Sequence, residues 1–191
     1  MMKHLLSFML GQSVYPCVVK PYPKEFPCMK ENFPIEWELF ENAGKLLAIS
    51  TYALDWEMLD IEAEGKLVSK SFGYSYLLKM KNKFFTPEEI TLVLGDLFFP
   101  SQKLVQNMPE DYQQGKMKIW DYDENGPFIS VCDCPYWLDT KKQFPDEDGI
   151  PSVYVYDTRI VRPSSPEADE IGYRLCFAAS EEILQRRKEY Q

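Results

Sequence analysis

The chain has one histidine, His4, among 191 residues. Imidazole catalysis therefore has a single candidate, and it stands in the apolar run "MMKHLLSFML" with no Ser-His-acid or Cys-His motif around it. The expectation is a buried or capping histidine. Glycine is sparse, at 9 residues, and neither G-x-x-x-x-G-K-[ST] nor G-x-G-x-x-G occurs. Nucleotide phosphates thus find no ready cradle. No stretch approaches the roughly 18 consecutive apolar residues that a membrane span needs. The opening has one early lysine and the short run "LLSFML", but no A-x-A-like cleavage site follows. It reads as a buried strand or short helix, in a soluble protein.

Cysteine is present in an odd number: Cys17, Cys28, Cys132, Cys134 and Cys176. A chain of this size without a dense cysteine framework points to a reducing, cytoplasmic setting. Cys132-x-Cys134 raises zinc, yet structural zinc sites present two pairs at short spacing, and Cys17 and Cys28 have ten residues between them. On a strand, alternation puts both thiols of Cys132 and Cys134 on one face, which serves core packing equally well. No metal and no cofactor is expected.

Positive charge is scarce over long windows. From Glu31 to Glu64 there are nine acids and one base, and from Pro109 to Asp148 ten acids and four bases. Gly65 to Phe85 reverses this with five lysines and no acid; the whole chain carries a formal charge of -9. Such a surface repels nucleic-acid phosphates and attracts cationic partners, besides keeping the protein in solution.

Large rings are abundant, with 12 Tyr, 12 Phe and 4 Trp. They favour strands and bury much surface each, so a sheet-rich fold is expected. The length fits a single domain, residues 1–191. Five prolines between Pro16 and Pro34 mark residues 16–34 as an extended, irregular arm, pinned by Tyr22, Phe26 and Phe33. Beyond it, Lys45–Leu54 and Lys66–Lys81 read as strands, with Trp56, Leu59 and Ile61 between them and a turn at Glu64-Gly65.

Thr86-Pro-Glu-Glu89 is a capping-box signature for one helical turn, followed by a strand through Phe99 and a short helix from Ser101 to Met108. Ser152–Val161 and Ile171–Ala179 read as strands separated by a polar loop. Ser180 caps a C-terminal helix whose acids come first and whose bases come last, as the helix dipole favours. The fold class expected is α+β: a mainly antiparallel sheet with few helices and the C-terminal one packed on it.

"DYDENG" (Asp121–Gly126) matches the opening of a calcium loop, but the twelfth position is Cys132, where a bidentate glutamate is required. Strand-like "KMKIW" and "FISV" flank it, and Asn125-Gly126 is a favoured hairpin pair. A hairpin is the better reading. Pro127 then weakens the first rung of the ladder.

"LFFPSQKLV" and "LCFAASEEIL" share one arrangement: an aromatic strand end, a serine, an amphipathic helix. Over Leu92 to Tyr190 the chain in this respect resembles immunity proteins of bacterial polymorphic-toxin systems. The resemblance implies a protein that neutralises a toxin by occluding it; it carries over no site residue. The expected activity is accordingly partner binding, with no catalytic residues assigned and a basic protein, such as a toxin domain, as the partner. The candidate surface is Trp120, Asp121, Tyr122, Asp123 and Glu124, together with Asp139, Asp146, Glu147 and Asp148. Two alternatives stand beside it: a hydrolase using clustered carboxylates such as Glu36 and Glu38 or Asp55 and Glu57, and a structural component of a phage or secretion-system assembly.

Overall fold

The computed structural model describes residues 1–14, 32–55, 72–140, 143–168 and 171–189. Among them the protein is α+β with antiparallel sheets dominant and short helices around them. Most of the proline-rich arm, both of its cysteines and the Trp56–Gly65 stretch lie outside these residues. Its last part does not behave as an irregular arm, because the second strand already begins at Asn32.

The main sheet has five strands. β1 (Lys3–Val14) pairs with β2 (Asn32–Asn42), and β2 with β3 (Lys45–Ser50). β11 (Cys176–Ala179), the last described strand, sits between β3 and β4 (Val93–Phe98). Alternation along these strands sorts side chains onto two faces. Leu6, Leu10, Trp37, Leu39, Ala48 and Phe177 enter one cluster, while Met2, Phe40, Ile49 and Cys176 enter another on the opposite face. The first is closed by α1 (Phe72–Phe84) and α5 (Glu182–Glu189), through Leu77, Phe84 and Ile183. The second is closed by α3 (Gln102–Asn107) and α4 (Glu110–Gln113), through Leu104, Met108 and Tyr112. Trp37 locks the centre: its indole N–H donates to the Leu10 carbonyl at 2.8 Å and its ring meets Phe177 edge-on.

Phe72–Lys81, expected as strand, is helix. The rings that suggested a strand fall at helical spacing instead, with Tyr76, Leu77, Met80 and Phe84 turned to the core and Leu78 left outside. The capping box forms as expected. Thr86 Oγ1 accepts from the Glu89 N–H at 3.2 Å and Glu89 Oε1 accepts from the Thr86 N–H at 3.0 Å, starting α2 (Pro87–Ile90). Ser101 Oγ caps α3 through the Leu104 N–H, and Ser180 Oγ accepts from Glu182 N–H at the start of α5. The two strand-serine-helix units thus lie side by side, since β4 and β11 are neighbours in the sheet.

A second sheet carries β9 (Pro151–Asp157), with β10 (Ile160–Ser164) along one edge and β7 (Tyr136–Trp137) and β8 (Phe144–Pro145) along the other. Ser152–Val161 is therefore two strands and a turn, not one strand. Thr158 and Arg159 take φ of 47° and 72°, the mirror-image turn that matches strand twist, and nothing in "DTRI" announces it. Trp137, Val153 and Val155 join the main core, while Tyr136, Leu138 and Tyr156 pack on Val105 of α3. No described helix is long and apolar enough to cross a membrane.

Candidate functional site

β5 (Lys116–Asp123) and β6 (Gly126–Asp133) form a two-stranded sheet of their own, in unbroken register from Lys116↔Asp133 to Asp123↔Gly126. The hairpin reading of "DYDENG" holds, with its turn one residue earlier than expected. Glu124-Asn125 is the tip, Asp123 Oδ1 accepts from the Asn125 N–H at 2.8 Å, and the positive φ belongs to Gly126, at 113°. Pro127 does not weaken the ladder. Asp123↔Gly126 is the closing hydrogen-bonded pair, so alternation puts position 127 at a non-bonded rung, where no N–H is needed.

The base of the ribbon is anchored. Met117 and Ile119 pack with Ala53 and Cys134, and Cys132 leans on the same cluster. Both thiols of the Cys-x-Cys pair thus serve packing on one face, and burial pushes the Cys132 thiol up, with Asp133 adding to the rise. On the other face Lys118 lies over the Tyr52 ring at 4.5 Å, and Trp120 approaches Phe33 at 6.4 Å.

Asp123 and Glu124 are exposed, Trp120, Asp121 and Tyr122 half-buried. The partner strand contributes what the sequence reading missed: Phe128 and Ile129, each 39% exposed, and Val131, 54% exposed. "FISV" reads as a strand from its β-branched and aromatic residues, which does not say whether those side chains are buried. Only the placement of this strand, paired with β5 alone among the described residues, leaves those side chains in solvent.

The remaining acids of the expected surface lie in the other sheet. Asp139 is exposed after β7, its N–H donating to the Pro100 carbonyl at 2.9 Å. Asp146 turns inward on its own loop, where Oδ1 accepts from the N–H groups of Asp148 and Ile150, both at 2.9 Å. Glu147 and Asp148 are exposed on that loop.

Two other places have the makings of a site. A cleft of about 640 Å³ is lined by Gly11, Tyr76, Met80, Lys83, Phe85 and Glu89, among others. Burial raises the Glu89 carboxyl, but donors from Thr86 and Gly11 outweigh it and hold the pKa below the ordinary value. That carboxylate is spent on capping. On the opposite face of the main sheet, Glu38 is buried and accepts from Ser7 Oγ at 2.6 Å and Thr51 Oγ1 at 3.0 Å, and meets His4 Nε2 at 2.7 Å. Tyr112 Oη stands 3.1 Å from His4 Nδ1, so both ring nitrogens are engaged. His4 packs between Phe40 and Tyr112, with its side chain 22% exposed. Among the described residues no three His, Cys, Asp or Glu side chains converge as metal ligands.

No family model, no curated protein and no solved structure matches the chain.

Proposed function

We propose that the chain is an acidic protein-binding module that docks through the β5–β6 hairpin, and in concrete form a cytosolic immunity protein that occludes a basic toxin domain. One observation carries the reading: Phe128, Ile129 and Val131 stand exposed on the same ribbon as Asp121, Asp123 and Glu124. Exposed apolar side chains beside a cluster of one charge sign are what a docking surface needs. The acids accelerate encounter with a cationic partner, and the apolar and aromatic groups, Trp120 and Tyr122 included, supply the area whose burial holds it. The base of the hairpin is fixed by Met117 and Ile119, so the surface is preorganised.

The hydrolase alternative would draw on the cleft, which Asp55 and Glu89 both line and where Glu89 is held by Gly11 and Thr86. The test is co-expression with the product of the gene adjacent to this one. The triple reversal D121K/D123K/E124K should slow association at least about tenfold at low salt and flatten its salt dependence. An unchanged association rate, or protection of the cell that survives the reversal, removes the hairpin from the reading.

A further inference from the structure

We infer that the partner engages this hairpin by main-chain pairing: an extended cationic segment adds, as a third strand, to the edge of β6 that no described strand covers. This rests on the docking role just proposed and specifies its geometry.

Natural sheet edges are blunted by lysines, prolines, bulges or shortness. β6 has none of these along its middle. It is 8 residues long, its register with β5 has no shift, and "FISVC" contains no lysine; Pro127 stands only at the tip. From the closing pair Asp123↔Gly126, the alternation of bonded and non-bonded rungs turns the N–H and C=O groups of Phe128, Ser130 and Cys132 toward β5. Those of Ile129 and Val131 face the edge away from β5.

Charge selects the occupant. Asp121, Asp123 and Glu124 crowd the tip, whereas Asp133 at the other end stands opposite Lys116, so a lysine or arginine on an added strand is drawn to the tip. A second copy of this chain fits poorly. Antiparallel pairing of β6 with itself about Ser130 sets Asp133 of each copy beside Pro127 of the other, next to the acidic tip, between molecules of charge -9.

The experiment uses the full chain and a synthetic peptide of alternating lysine and valine, as long as β6, beside the same peptide N-methylated at the amides that would face β6. In the free protein the amides of Ile129 and Val131 should exchange rapidly with solvent while those of Phe128, Ser130 and Cys132 are slow. Adding the lysine-valine peptide should protect Ile129 and Val131 selectively, and methylation should weaken binding about tenfold or more, the loss of two or so net hydrogen bonds. Val131→Pro, which removes an outward donor and leaves the β5 ladder intact, should do the same. Equal affinity of the two peptides, with the hairpin still perturbed, overturns strand addition and leaves the acidic docking surface standing. No perturbation of the hairpin by either peptide overturns both. Protection of Ile129 and Val131 that grows with protein concentration alone assigns the edge to a second copy and overturns the cationic partner.

Discussion

The backbone N–H of Gly11 donates to the carboxylate of Glu89 at 2.7 Å across 78 residues of sequence. Glu89 is thereby two things at once, the closing residue of a capping box and the acceptor for an N–H that a bulge in β1 turns out of the ladder. Gly11 reaches it with φ of 75°, and a Cβ there would meet the Phe85 ring at 2.8 Å. A local helix signal and a long-range strand irregularity meet on one side chain.

Glu89→Gln tests the charge in that junction. Donors from Thr86 and Gly11 hold the carboxyl below its ordinary value against the rise that burial causes. The sign follows: with the folded pKa below the unfolded one, the contribution is present above the unfolded pKa and is lost as pH falls through the folded one. Glu89→Gln should cost about 1 kcal/mol at neutral pH, a capping loss, and less at pH 3. Urea unfolding at the two pH values measures the difference; an equal loss at both would place the effect in shape rather than charge.

The Thr158-Arg159 turn offers a gain instead of a loss. Both residues hold positive φ, and Thr158 does so with a β-branched side chain. Asp157 holds the corner, accepting from Thr158 Oγ1 and from Arg162 Nε, both at 2.9 Å. Thr158→Asn with Arg159→Gly supplies the pair this turn favours and should raise stability by about 1 kcal/mol, read as a higher Tm. A fall would show that the Asp157 contacts outweigh the backbone strain.

The helix starts at Thr86, Ser101 and Ser180 were legible because capping is local chemistry, written within four residues. The hairpin at Asp121–Asp133 was legible for the same reason. The turn at Thr158-Arg159 was not, since its residues are chosen against the turn's own preference and only the pairing of β9 with β10 enforces it. Phe72–Lys81 was not legible as helix, because its aromatic residues favour strands while its apolar positions follow the helical period. The candidate surface was half legible: Asp121, Asp123 and Glu124 announce themselves by charge, whereas Phe128, Ile129 and Val131 mark a strand without saying that the sheet order leaves them outside.

The base of the hairpin should be intolerant of added volume. Gly172 has no Cβ because one would stand 2.6 Å from Ala53 Cβ and 2.8 Å from Cys134 Sγ. Gly115 is tighter still, against the Cys134 carbonyl and the Tyr136 ring. Neither has positive φ, so the conflict is steric. Gly172→Ala should cost about 1–3 kcal/mol by overpacking. Because Gly172 touches Met117, its first effect should be faster amide exchange in β5 and β6, with the main sheet unchanged; uniform loss of protection would contradict that.

Glu38 carries the highest stake of any described carboxylate. It is 5% exposed and serves as acceptor for Ser7 and Thr51 while facing His4 Nε2. Glu38→Gln keeps the shape but brings an amide N–H group among donors, and should cost about 1–3 kcal/mol. Glu38→Leu leaves the donors of His4, Ser7 and Thr51 without an acceptor and should cost more, toward about 3–5 kcal/mol. Glu36→Gln, two residues along at a half-exposed position, is the control and should stay within about 0.5 kcal/mol. Stability alone cannot separate lost packing from lost charge, but Tyr112 can. Burial pushes its phenol up first, and the charges of Glu38 and Asp111 push it further. In Glu38→Gln the Tyr112 pKa, followed by NMR of its ring, should fall toward the ordinary value without reaching it, because the burial remains. An unmoved Tyr112 would mean that the Glu38 charge does not reach across His4, and that the carboxylate acts through its hydrogen bonds alone.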